Sequence, residues 1–345
     1  MNMKLPGLDI SNESDWRTDF AQGIRSAEDL LKHVNLAPED VDLVEGADLG
    51  AFPLRVPQSY VAKIEKGNPR DPLLLQVLPL KQEFQSQPGY VKDPLHEEEY
   101  NTAPGVIHKY QNRALFVATQ ACAIHCRYCF RRHFPYSDNA MTADKLKAAL
   151  DYIASRQELD EVILSGGDPL SLSDPKLFQV LEGLNSIQHL KRIRIHTRLL
   201  AIMPNRATDA FLTGLKALQK HLVIVVHINH PNEIDDEFIQ AAGLLRQAGV
   251  HLLNQTVLLA GINDNVQTLN QLSHRLMDAG VLPYYLHLLD PVEGASHFNI
   301  SDAQAIQFVR ELLEQLPGYL VPKLVREVAG FKNKLPVDLG LYTQK

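Results

Sequence analysis

Residues 114–134 read ALFVATQACAIHCRYCFRRHF. The first six form an apolar, β-rich run that predicts a strand, and the chain then enters a loop holding Cys122, Cys126 and Cys129. These are the only cysteines in 345 residues, so a disulfide framework is excluded as the main reading. Three thiols spaced C-x3-C-x2-C suggest ligands converging on one centre. Three readings stay open on spacing alone. Zinc would take His125 or His133 as a fourth ligand, yet structural zinc usually draws on a second, distant ligand pair. An iron–sulfur cluster on three thiolates would leave one iron without a protein ligand and so able to bind a substrate or cofactor. Three merely buried thiols would be the bland case, which the clustering of every cysteine disfavours.

Outward from this loop the chain alternates strands and helices. TADKLKAALDYIASRQEL predicts a helix capped by Thr142, followed by the strand EVILS (161–165) and the helix DPKLFQVLEGLN. KRIRIHT (191–197), HLVIVVHI (221–228), HLLNQTVLLA (251–260) and YYLHLL (284–289) are further strands, each followed by a helical pattern. Six strand–helix repeats with near-continuous apolar strands suit a parallel sheet buried on both faces. Six units are too few for a closed eight-stranded barrel. The expected architecture is therefore an α/β partial (β/α)6 barrel, with active-site groups at the C-terminal strand ends. A doubly wound sheet fits the periodicity almost as well. Residues 1–100 read as an N-terminal helical extension, 101–315 as the barrel and 316–345 as a C-terminal segment.

Composition excludes other classes. The chain is 45% hydrophobic and 22% charged, with 19 Gly and 20 Pro, which argues against collagen-like or disordered chains. A net charge of −7 argues against a globally basic nucleic-acid binder, DNA included. No run approaches the ~18 apolar residues of a membrane span. The start, MNMKLPGLDISNESDW, lacks the apolar region of a secretory signal, so the expected location is the cytoplasm.

The Cys motif, with Tyr128 before the third cysteine, resembles the signature of the radical S-adenosylmethionine (SAM) superfamily. The longer string HCRYCFRRHF resembles lysine 2,3-aminomutase, over roughly residues 50–340. The resemblance implies a radical SAM barrel, an isomerase, and a 4Fe–4S cluster on Cys122, Cys126 and Cys129. The open iron of that cluster would bind SAM. It implies that Ser165-Gly166-Gly167-Asp168-Pro169 meets the methionyl amino group of SAM, and that His227 and Asn229 in HINHPNE line the SAM site. Pyridoxal phosphate (PLP) would be held by Lys334 as the Schiff-base lysine, with Arg113, Asn254 and Gln255 near it. Arg131 would fork onto the substrate α-carboxylate, and Asp290 with Glu327 would hold a distant ε-ammonium. The family pattern has aspartate where Glu327 stands and glycines where Gly330-Phe331-Lys332-Asn333 stands, which makes Lys332 a weak rival to Lys334. A turn, a capping pair, a buried Asn–Gln or a solvated lysine is the structural alternative at each site.

Amino migration from Cα to Cβ has no polar route, so a radical source, an imine-forming cofactor and a two-ended clamp are needed. A clamp of one Arg and two acids suits a diamino acid, lysine before ornithine or arginine, and fits glutamate poorly. Without the cysteine-bearing C-terminal extension of the catabolic enzymes, the chain resembles the short branch that makes (R)-β-lysine for elongation factor P modification. That implies free L-lysine as substrate, a flavodoxin- or ferredoxin-type electron donor, and functional links to elongation factor P and its lysyl-ligase. The rival class is a non-catalytic iron–sulfur or zinc module whose Arg127, Arg131, Arg132 and His133 bind RNA.

Overall fold

Apolar runs alternating with amphipathic segments wind into one twisted sheet of ten strands among the described residues. The structure, a computed structural model, describes residues 13–43, 52–134 and 141–341. Part of the N-terminal segment read as a helical extension lies outside the described residues. Four helices precede the sheet: α1 (Glu13–Ala21), α2 (Ala27–His33), α3 (Gln58–Val61) and α4 (Pro72–Leu75). The strands are β1 (Asn101–Ala103), β2 (Val106–Ile107), β3 (Arg113–Thr119), β4 (Glu161–Gly166), β5 (Arg192–Thr197), β6 (His221–His227), β7 (His251–Val257), β8 (Leu282–His287), β9 (Lys323–Arg326) and β10 (Leu335–Pro336). Between them lie α5 (Ala143–Ser155), α6 (Asp174–Asn185), α7 (Leu199–Ile202), α8 (Asp209–Ala217), α9 (Asp236–Gln247), α10 (Val266–Asp278) and α11 (Asp302–Gln315).

The local signals behave as the sequence predicts. Thr142 caps α5 by accepting from Lys145 N, and α6 has the predicted bounds. Strands β3 to β9 pair in parallel, each with its successor in the chain. Strand order never reverses, which removes the doubly wound alternative, since that fold needs a switch point. The sheet instead curls as an open, partial barrel. It runs one parallel strand beyond the six predicted, because β9 is only four residues (KLVR) and no helix follows it. Antiparallel strands close the edges, β1 and β2 beside β3 and β10 beside β9.

The main core lies between the sheet and its helices, and the N-terminal segment belongs to it. Trp16, Leu30, Leu31 and Leu73 are buried in the same cluster as Leu177, Phe211 and Phe238. Lys63 Nζ donates to Ala201 O at 2.9 Å and Glu233 O at 3.1 Å, tying the chain just after α3 to α7 and to the loop after β6.

Candidate active site

Side chains alternate along a strand, so every second residue faces the barrel interior. Those residues are Arg113 and Leu115 on β3, Glu161, Ile163 and Ser165 on β4, and Arg194 and His196 on β5. Val223 and His227 on β6, Leu253, Gln255 and Val257 on β7, and Tyr285 and His287 on β8 continue the series. With loops from the C-terminal strand ends they enclose a cavity of about 570 Å³. That is within the range of small-ligand sites.

Cys122, Cys126 and Cys129 all line this cavity. Their loop turns tightly, Cys129 N donating to Cys126 O at 3.0 Å. It hangs from the N-terminal segment through His125 N to Arg55 O and Arg127 N to Gln76 O. Burial, then the neighbouring thiols, pushes the Cys122 thiol up and the Cys129 thiol to about 11. Arg55 opposes the shift at Cys122, and Arg131 and Arg132 oppose it at Cys129. Three soft sulfur donors lining one cavity, near guanidinium cations, fit an anionic iron–sulfur cluster. Beneath the loop, Glu83 is wedged between Arg127 (Nε to Oε2, 2.8 Å) and Arg132, with both guanidinium groups over the Phe52 ring.

The glycine-rich turn packs against this loop. Gly166 has φ +115°, and a Cβ there would sit 2.6 Å from Thr119 O; at Gly167 it would sit 2.4 Å from Ala121 O. Both glycines line the cavity. The amides of Gly167 and Asp168, however, donate to Thr119 O and Ala121 O, so they are committed to the loop. The Asp168 carboxylate is likewise committed. It accepts from Thr197 Oγ1, Leu170 N, Arg198 N and Leu199 N, and so fixes the ends of β4 and β5 rather than offering a ligand group.

Two further expectations are corrected. Asn254 lies on the outward face of β7, one residue out of phase with Gln255. Its side chain is buried against Ile228 N (3.0 Å) and Ile228 O (3.1 Å), where it repairs the strand end of β6. Asn229 does not face the cavity either. The chain turns after β6, and its amide donates to Tyr128 Oη (2.6 Å) and Gln76 Oε1 (3.0 Å) while accepting from Val257 N.

The other residues converge. Arg131 is buried, forked onto Glu97 through Nε (2.7 Å) and Nη2 (2.6 Å), with Nη1 donating to Ser165 Oγ at 2.8 Å. Arg113 lies over the Tyr110 ring at 4.0 Å. Glu327, just past β9, accepts from Lys334 Nζ and Tyr110 Oη and lies 3.5 Å from Lys109 Nζ. Burial alone would raise its carboxyl, but Lys334, Lys109 and Tyr110 bring it down to about 2. Burial raises Asp290 to about 7, with Glu327 and Glu97 adding to the rise and Lys334 opposing it.

Buried imidazoles His196, His227 and His287 are held neutral by desolvation, His227 at about 3. Their Nε2 atoms and Gln255 Oε1 are buried without a hydrogen-bond partner, the mark of a wall built to meet a polar ligand. His227 feels the positive charges of both Arg198, which donates to Cys126 Sγ, and Lys334. Sequence reasoning missed Glu97, Lys109, Tyr110, His196 and His287. The alternation of strand residues was the one signal that could have found His196 and His287.

A partial barrel with three cysteines lining its strand-end cavity defines a radical SAM enzyme, and residues 116–272 match the Radical SAM superfamily model. The chain is 48% identical to L-lysine 2,3-aminomutase of Escherichia coli over 98% of each chain. It is 51% identical to the Haemophilus influenzae enzyme of that name over 94% of this chain and 96% of that one. The Clostridium subterminale L-lysine 2,3-aminomutase is 34% identical, with 78% of its length covered. The chain belongs to the lysine 2,3-aminomutase family, whose members are isomerases.

Proposed function

We propose that the protein converts free L-lysine to (R)-β-lysine with a 4Fe–4S cluster, SAM and PLP, and that the β-lysine serves modification of elongation factor P. The observation that carries this reading is the make-up of one cavity. Three thiols, a buried guanidinium, a lysine and two acids line it together.

Cys122, Cys126 and Cys129 would hold the cluster. Gly166, Gly167 and His227 would line the SAM site. Lys334 would hold PLP, with Arg113 and Gln255 toward its phosphate. When bound, these groups supply a radical able to take hydrogen from an unactivated carbon and a carbonyl able to hold the migrating nitrogen. Arg131 forks onto the α-carboxylate of lysine, its guanidinium fixed by Ser165 and Glu97. Asp290 and Glu327 accept from the ε-ammonium. A carboxylate clamp at one end and an ammonium clamp at the other fix Cβ in place, which a reactive intermediate requires. The neutral imidazoles on β5, β6 and β8 put no charge beside the reacting carbons.

The test is anaerobic turnover of reconstituted protein with dithionite, SAM, PLP and L-lysine. SAM-dependent β-lysine is expected. Formation of 5′-deoxyadenosine without β-lysine would overturn the substrate and PLP roles, and formation of neither on a loaded cluster would overturn the cysteine roles.

A further inference from the structure

Arg198 starts the turn after β5 and is 6% exposed. Its Nη1 donates to Cys126 Sγ at 2.7 Å and to Tyr128 Oη. Its Nη2 donates to Gln76 Oε1 at 2.7 Å, Glu233 Oε2 at 3.0 Å and Tyr60 Oη at 3.3 Å. The backbone is pinned separately, Arg198 N donating to Asp168 Oδ2 at 2.7 Å. Glu233, fully buried, is held on its other oxygen by the amides of Asn229 (2.9 Å) and His230 (3.0 Å). The guanidinium is thus fixed from several directions with one face on a cysteine sulfur. Both terminal nitrogens of this buried cation are committed to protein groups, and only Nε is buried without a partner.

We propose that Arg198 sets the reduction potential of the cluster, raising it through the N–H it donates to the Cys126 sulfur. Reduction adds negative charge to the cluster and its sulfurs. A fixed positive charge and a hydrogen bond at a ligating sulfur stabilise that added charge, at short range and away from water. Glu233 partly offsets the cation, and the Asn229–Gln76–Tyr128 network keeps the geometry. Asp168 then has a positioning role, coupling the glycine-rich turn to the residue beside the cluster. The inference rests on the reading of Cys122, Cys126 and Cys129 as cluster ligands.

The test is an anaerobic potentiometric titration followed by electron paramagnetic resonance, without SAM, on full-length reconstituted protein of measured iron content. The wild type is compared with Arg198→Gln, Arg198→Lys and Glu233→Gln. Arg198→Gln is expected to lower the midpoint so that the reduced-to-oxidised ratio at a fixed potential falls about tenfold, or 59 mV for one electron. Arg198→Lys restores most of that loss because the charge returns. Glu233→Gln shifts the midpoint upward. Iron-loaded Arg198→Gln with the wild-type midpoint overturns the proposal. If that variant does not load iron, an unmoved midpoint in Glu233→Gln overturns it instead. A folded wild-type protein that takes up no cluster defeats the cysteine reading itself, an outcome separate from either.

Discussion

Asp290 shows how a residue's chemistry depends on its surroundings. A carboxyl lifted to about 7 by burial and by Glu327 is only partly ionised at neutral pH. An ε-ammonium binds the ionised form, so affinity is complete above about 7 and weakens as pH falls through it, by up to about tenfold per unit. The expected outcome is a KM for lysine that rises as pH is lowered from 8 to 6. Asp290→Asn should raise KM by roughly 10- to 100-fold and flatten that dependence, given a charge-assisted bond of about 1.5–3 kcal/mol. An unchanged slope in the variant would assign the titration to another group. At this scale the cysteines could be singled out from residue type and spacing, whereas Arg131, Gln255, Glu327 and Lys334 were legible only through the resemblance to the lysine 2,3-aminomutase family. Glu97 could not be singled out, because nothing in the string EEEY marks one glutamate as the partner of Arg131, 34 residues away.

At the element scale, the cysteine loop has no regular structure of its own and stands on a buried charge triad. Glu83 serves Arg127 and Arg132 together. Burial works to raise its carboxyl, but the two guanidinium groups win and hold it below its ordinary 4.5. Its folded-state value is depressed, so its contribution is complete above that ordinary value and is lost as pH falls through the lower one. Glu83→Gln leaves two buried cations uncompensated and should cost about 3–5 kcal/mol. Urea unfolding at pH 7 measures this, and a loss under 1 kcal/mol would show that the triad is dispensable. The longer helices and strands between residues 142 and 315 were legible from period and caps, whereas the four-residue α7 (Leu199–Ile202) was not. Short strands β1, β2, β9 and β10 were not predicted from periodicity, because two to four residues carry no period and exist only through their neighbours.

At the scale of the whole molecule, the N-terminal segment and the barrel share one core and one charge network. Trp16 lies beneath the Arg206 guanidinium at 4.7 Å, Lys63 pairs with Asp235 at 2.7 Å, and Gln76 bonds Arg198. A chain cut to residues 101–345 is therefore expected to lose cooperative unfolding and to hold no iron after reconstitution. A fragment that melts in one sharp transition with bound iron would show that the barrel stands alone. Among the described residues no helix is long and apolar enough to cross a membrane. The sequence by itself determined the repeat of strands and helices and the kind of chemistry, because hydrophobic period and ligand type are local properties. Tertiary structure decided which polar residues face the cavity. Asn254 and Gln255 are adjacent in sequence, yet strand alternation sends one to a backbone amide and the other to the site. It also decided that Arg198 belongs to Cys126, because the two meet only when β5 is laid two strands from the cysteine loop.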